Sequence, residues 1–112
     1  MLTIEALNEL GVNTQEGLMR CMNNENFYFK MLKMGLSGDY FDRLGKALME
    51  NNLDEAFEAA HALKGVLGNL AVTPIYNPLA EMTEMLRAKE QADYVKMYKP
   101  IVDLKNKILA LM

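Results

Sequence analysis

The chain has 112 residues, a length typical of one domain, and 51% of them are hydrophobic, which excludes an intrinsically disordered chain. Its net charge is −3 and no basic cluster stands out, so we expect no nucleic-acid partner. No apolar run is long enough to cross a membrane and no signal peptide is recognisable, so we predict a cytoplasmic protein. Cys21 is the only cysteine, which excludes an internal disulfide and leaves no Cys/His ligand set for zinc.

The residue types favour helix over strand. Leu, Met, Ala, Lys and Glu dominate, tryptophan is absent, and no stretch alternates between apolar and polar residues for long enough to indicate a strand. No repeat or linker-like run divides the chain. We therefore predict an all-α fold and a single domain over residues 1–112.

Two short helices are predicted at the start of the chain. Thr3 can cap a helix that ends near Leu10, where Gly11 stops it. Asn13 can cap a second helix, with Glu16 three residues later as its capping-box partner.

Five further helices follow, and short connections join the last four. These connections favour antiparallel neighbours, so we predict an up-down antiparallel four-helix bundle with additional short N-terminal helices covering one end or flank. Pro78 limits the regularity of the sixth helix, and Pro100 should kink the last one. The predicted bounds are about Glu25–Leu36, Asp39–Met49, Leu53–Ala71, a helix starting at Thr73-Pro74, and Gln91–Leu111.

The fifth helix places the only histidine, His61, beside an apolar stripe. On a helical wheel His61 lies about 100° from the centre of that stripe, so we expect it to be at least partly exposed. Lys64 lies one turn further, between His61 and the stripe, and Gly65 and Gly68 lie on nearly the same side as His61. Glu58 lies on the solvent side. The stripe consists of Leu53, Ala56, Phe57, Ala60, Leu63, Leu67 and Ala71.

These residue types suit phosphoryl chemistry, although each also has an ordinary interpretation. A neutral imidazole is a good nitrogen nucleophile, and a lysine supplies positive charge for phosphoryl oxygens. However, a lone helical histidine is usually a surface or boundary residue, and Lys64 fits an ordinary surface lysine equally well. Each glycine costs about 1 kcal/mol against alanine inside a helix. Close helix packing explains the glycine at position 65 poorly. The glycine at position 68 fits close packing, an early helix end, or a surface without side chains that a partner's backbone can approach.

The run Ala60-His61-Ala62-Leu63-Lys64-Gly65 resembles the His-x-Leu-Lys-Gly signature of histidine-containing phosphotransfer domains. The resemblance extends over most of the chain from about Ala6 onward. It implies that His61 is the phosphoacceptor, that Lys64 lies near the phosphoryl group, and that Gly65 and Gly68, together with Glu58, belong to the partner-binding face. Two positions depart from the family pattern. Ala71 replaces a usual glycine, which should have little effect, and Thr83 replaces a Glu or Gln that supports the imidazole, so Thr83 or a water molecule would have to take that role.

The resemblance also implies a carrier rather than an enzyme. The expected partners are response-regulator receiver domains and a hybrid histidine kinase, and the expected state is a monomer. No cofactor is expected, because the receiver domain would bring Mg²⁺ to its own carboxylates and the chain has no Gly-rich nucleotide loop.

Two other interpretations remain open from the sequence. The first is a receiver-binding or helical interaction module on the same fold that no longer transfers phosphate, which the replacement at Thr83 favours. The second is a dimerising helical bundle like those of histidine kinases. Ala62 argues against the second, since kinases of that type carry an acidic residue after the histidine.

Overall fold

A computed structural model describes all 112 residues, which form seven α-helices and no strand. The all-α prediction is therefore confirmed. The molecule measures 40 × 23 × 21 Å along its principal axes. None of its helices has both the length and the hydropathy needed to cross a membrane. The helices are α1 (Ile4–Glu9), α2 (Thr14–Arg20), α3 (Glu25–Ser37), α4 (Asp39–Met49), α5 (Leu53–Asn69), α6 (Thr73–Arg87) and α7 (Tyr94–Leu109).

Most helices begin at a polar side chain that satisfies a free backbone N–H of the first turn. The side-chain oxygens of Thr3, Asn13, Asn24, Asn52 and Asp93 each accept a hydrogen bond from the N–H three residues later. The predicted starts of α1, α2 and α5 are confirmed. Helix α7 begins slightly later than predicted, because Asp93 rather than a residue before it provides the cap.

The last four helices form the predicted bundle. Helix α5 packs between α4 and α6, and α7 closes the bundle by contacting α4 and α6. Each of the four contributes fully or almost fully buried apolar side chains, among them Leu44, Leu63, Leu79 and Ile101. Burial of these side chains from water is the main stabilising contribution, at about 1.5–3 kcal/mol for each large apolar side chain.

The N-terminal helices cover one flank of this bundle. Helix α3 packs against α5 and α7, and α2 packs against α3. Two hydrogen bonds attach the start of the chain to the end of α5: the Asn13 N–H donates to the Ala71 carbonyl at 3.1 Å, and the Arg20 guanidinium donates to the Gly68 carbonyl at 3.2 Å. The C-terminal end of α5 is thus tied to residues from the N-terminal part of the chain.

Helix α5 ends two residues earlier than predicted. The Val72 N–H donates to the Leu67 carbonyl and the Ala71 N–H donates to the Gly68 carbonyl, which is the hydrogen-bond pattern of a Schellman motif. Ala71 therefore adopts a φ of 57° in the left-handed region instead of continuing the helix.

The two internal prolines lie within helices that continue through them. Pro78 belongs to α6 and Pro100 to α7, and both are exposed. A proline removes one backbone donor from the helix, which is tolerated more easily where water can reach the unpaired carbonyl. The kink at Pro100 stays a prediction.

Candidate functional site

His61 lies near the middle of α5, on the edge of the face that packs into the bundle. Its side chain is exposed, whereas the adjacent Ala60 and the nearby Leu63 are fully buried. This is the exposure that the helical wheel predicts for a residue beside the apolar stripe. The imidazole is therefore held on a rigid helix and is open to another molecule.

An aromatic side chain one turn earlier supports the imidazole. The rings of Phe57 and His61 are stacked, with centroids 5.5 Å apart and an angle of 20° between the ring planes. The guanidinium of Arg87 lies over the Phe57 ring, 4.8 Å from its centroid, and its Nε donates to Glu84 Oε1 at 3.3 Å. Sequence reasoning placed Phe57 only in the core stripe. The four-residue spacing from His61 was the signal that could have predicted this contact.

Lys64 and Gly65 line an open groove on the C-terminal side of His61. The groove has a volume of about 570 Å³, and its wall includes Arg20 from α2 and Tyr76 and Asn77 from α6. Lys64 is half-buried, consistent with an aliphatic stem that lies along the bundle while its ammonium reaches towards solvent. The N-terminal part of the chain thus contributes a residue close to the predicted site.

The two glycines of α5 have different structural roles. A Cβ atom at Gly65 would meet no other heavy atom within 4 Å, so the fold itself does not require glycine there. A Cβ atom at Gly68 would lie 3.1 Å from Cε2 of Tyr76, so Gly68 allows α6 to approach α5 closely. The structure therefore gives Gly68 a packing role and leaves Gly65 as open surface.

The acidic residues lie on the N-terminal side of the imidazole. Glu58 and Asp54 are exposed and line a shallow cleft of about 450 Å³ together with Phe57 and Arg87. Lys89 Nζ lies 3.3 Å from Asp54 Oδ1 in an exposed ion pair. No set of three or more His, Cys, Asp or Glu residues in the structure is placed to bind a metal ion.

Thr83 lies on α6 in the interior of the bundle. It is fully buried, and its hydroxyl donates to the Leu79 carbonyl of the same helix at 2.7 Å. No hydrogen bond of the structure joins Thr83 to His61. The Thr83 hydroxyl therefore donates its hydrogen bond within α6.

A family model, the Hpt domain, matches residues 35–111 of the chain. The match covers α4 to α7 and the end of α3, which is more than half of the chain, and it contains the whole four-helix bundle with His61. The chain belongs to the histidine phosphotransfer (Hpt) domain family. Comparison with curated proteins and with solved structures finds no match.

Membership in this family defines the general class of function. Hpt domains are phosphocarrier modules that work with receiver domains and histidine kinases in phosphorelays. The match starts later than the resemblance read from the sequence, since α1, α2 and most of α3 lie outside it. Arg20, which lines the groove beside Lys64, therefore lies outside the matched region.

Proposed function

We propose that His61 accepts a phosphoryl group from an aspartyl phosphate of one receiver domain and passes it to the aspartate of another. The observation that carries this proposal is an exposed imidazole on a rigid helix, next to a lysine and to a glycine that the packing of the chain does not require. A receiver's backbone could approach over Gly65 without a clash.

The chemistry needs little from this chain beyond orientation and charge. An unprotonated ring nitrogen of His61 attacks the phosphorus in line, forming the N–P bond while the P–O bond to the aspartate breaks and the carboxylate leaves with the electron pair. The Lys64 ammonium would reduce the repulsion between the phosphoryl oxygens and the approaching site. Mg²⁺ would be supplied by the carboxylates of the receiver domain, and the carrier would use no cofactor of its own.

The remaining parts of the proposal concern the partner set. A hybrid histidine kinase would supply the phosphoryl group through its receiver domain. Gly65, Gly68 and Glu58 would lie in the surface that contacts the receiver domain. We also propose that the chain acts as a monomer, as one domain over residues 1–112, and in the cytoplasm.

One observation favours a second candidate function, a receiver-binding module that does not transfer phosphate. The Thr83 hydroxyl donates within α6, so no hydrogen bond from α6 orients the imidazole. If that support is essential, receivers would bind without phosphotransfer.

Incubation with a radiolabelled phosphorylated receiver domain tests the proposal. We expect label to move to the chain on a site that is acid-labile and alkali-stable, and we expect no transfer to His61→Gln. Receiver binding without movement of label would favour the interaction module. Label that persists on His61→Gln would contradict the assignment of His61.

A further inference from the structure

We propose that Phe57 is the positioning residue for His61: its ring, held by the bundle and by Arg87, sets the orientation of the imidazole by stacking. This inference rests on the proposed function, since it concerns the same imidazole. The distance of 5.5 Å between ring centroids and the angle of 20° between ring planes describe an offset aromatic stack.

Phe57 is a firm support because it is itself fixed on several sides. It is half-buried and packs against the buried core of the bundle. The guanidinium of Arg87 lies 4.8 Å from the ring centroid, in a cation–π contact that joins α6 to α5. Arg87 also forms an exposed ion pair with the carboxylate of Glu84. The orientation of Phe57 therefore depends on contacts between two helices.

The stack with Phe57 is the only aromatic contact of the imidazole, and no side-chain hydrogen bond holds it. The residues next to it on the exposed side are small, since Ala62 is an alanine and Gly65 has no side chain. Thr83, at the position from which an orienting hydrogen bond is expected, donates its hydroxyl proton to Leu79. Without Phe57, the imidazole would be free to populate several rotamers.

Orientation matters for transfer because the attacking nitrogen must point along the P–O bond that breaks. Restricting the ring to one rotamer removes an entropic cost that would otherwise be met when the receiver docks. Stacking covers one face of the imidazole, so Phe57 does not cover the ring nitrogens at its edge, and the His61 side chain is exposed. Phe57 therefore does not touch the phosphoryl group and acts only through His61.

The experiment compares Phe57→Leu with Phe57→Tyr, which keeps an aromatic ring, and with Phe27→Leu as a matched control. Phe27 is an exposed phenylalanine on α3, outside the site. Each protein is phosphorylated by the small-molecule donor phosphoramidate and, separately, by a phosphorylated receiver domain. The second readout is the NMR chemical shifts of the His61 ring protons and their nuclear Overhauser effects to the Phe57 ring in the parent protein.

We expect transfer to be about threefold to tenfold slower in Phe57→Leu, with Phe57→Tyr and Phe27→Leu close to the parent. The His61 ring protons should move downfield when the Phe57 ring is removed, because its ring current no longer shields them. Equal transfer rates in Phe57→Leu and the parent would overturn the inference. So would the absence of Overhauser effects between the two rings in the parent, a result that does not depend on whether any variant folds.

The same data separate the inference from the proposed function. If neither donor labels the parent protein, the proposed function fails, whereas the ring-proton data still test the stack. If the parent is labelled and Phe57→Leu is labelled at the same rate, only the positioning role of Phe57 fails.

Discussion

The Tyr28 hydroxyl of α3 donates a hydrogen bond of 3.0 Å to the backbone carbonyl of Leu70, immediately after the end of α5. Both partners are buried, and the bond ties a flanking helix to the helix that carries His61. Burial, with a smaller contribution from Cys21, raises the pKa of Tyr28 to about 12. This contact has two consequences for stability.

Removing the hydroxyl should destabilise the fold without altering the site. Tyr28→Phe leaves the Leu70 carbonyl without its partner, and we expect the free energy of unfolding to fall by about 1–2 kcal/mol. Urea denaturation followed by circular dichroism measures this change. Phosphorylation of His61 by phosphoramidate should be unaffected, and an unchanged denaturation midpoint would show that the hydrogen bond contributes nothing to stability.

Alkaline pH should lower the free energy of unfolding of the parent protein more than that of Tyr28→Phe. The pKa of Tyr28 rises on folding from 10.0 to about 12, so the folded state keeps a proton that the unfolded state loses. The stabilisation is complete below pH 10 and is lost as the pH rises towards 12. Burial, and then Asp42, also raise the pKa of Tyr98, so part of the decline should remain in Tyr28→Phe. Parallel pH profiles for the two proteins would contradict this prediction.

Ala71→Gly should stabilise the protein. Ala71 has a φ of 57°, a conformation that is unfavourable for alanine but not for glycine. We expect the free energy of unfolding to rise by about 0.5–1 kcal/mol, which is less than the whole strain because glycine also gains freedom in the unfolded chain. Alanine was expected to have little effect at this position, and Ala71→Gly tests that expectation for stability.

A second alanine provides the control for Ala71→Gly. Ala80 lies within α6, so Ala80→Gly should destabilise by about 1 kcal/mol, the opposite sign. Thermal unfolding of both variants distinguishes the two environments. If both substitutions lower the melting temperature, the left-handed conformation of Ala71 does not carry the strain assigned to it.

Gly65→Ala should separate stability from partner binding. The added methyl group meets no other atom within 4 Å, and alanine favours the helix, so we expect about 0.5–1 kcal/mol of added stability. If a receiver's backbone approaches over Gly65, the same methyl group should slow transfer from a receiver but not phosphorylation by phosphoramidate. Gly68→Ala should gain less stability than Gly65→Ala, because the Tyr76 ring lies 3.1 Å from the added methyl group and would have to shift. Unchanged receiver transfer in Gly65→Ala would argue against a close approach there.

Lys64→Ala should slow transfer from a receiver by about tenfold, through loss of a cation near the phosphoryl oxygens. Single-turnover transfer measured at two salt concentrations tests this, since added salt should reduce the difference between the variant and the parent. Lys46→Ala, which removes an exposed lysine of α4, is the control and should behave like the parent. A Lys64→Ala variant as fast as the parent would remove the electrostatic role of Lys64.

Local sequence rules were sufficient wherever the cause of a structure lies within a few residues. Thr3 and Asn13 were recognised as caps because each bonds to a backbone N–H only three residues away. The end of α5 was misplaced because Ala71 carries no sign of the left-handed conformation that glycine would have signalled. Ala59 is also fully buried although it was left out of the apolar stripe.

By itself the sequence determined the all-α class, the helices and the exposed position of His61 beside Lys64 and Gly65, because helical periodicity sets the direction of each side chain around its own axis. The tertiary structure alone decided which groups meet across helices. It brought Arg87 over Phe57, Tyr76 against Gly68 and Arg20 to the groove beside Lys64. Such contacts join residues distant in the chain, and they depend on how whole helices pack, which no local pattern encodes.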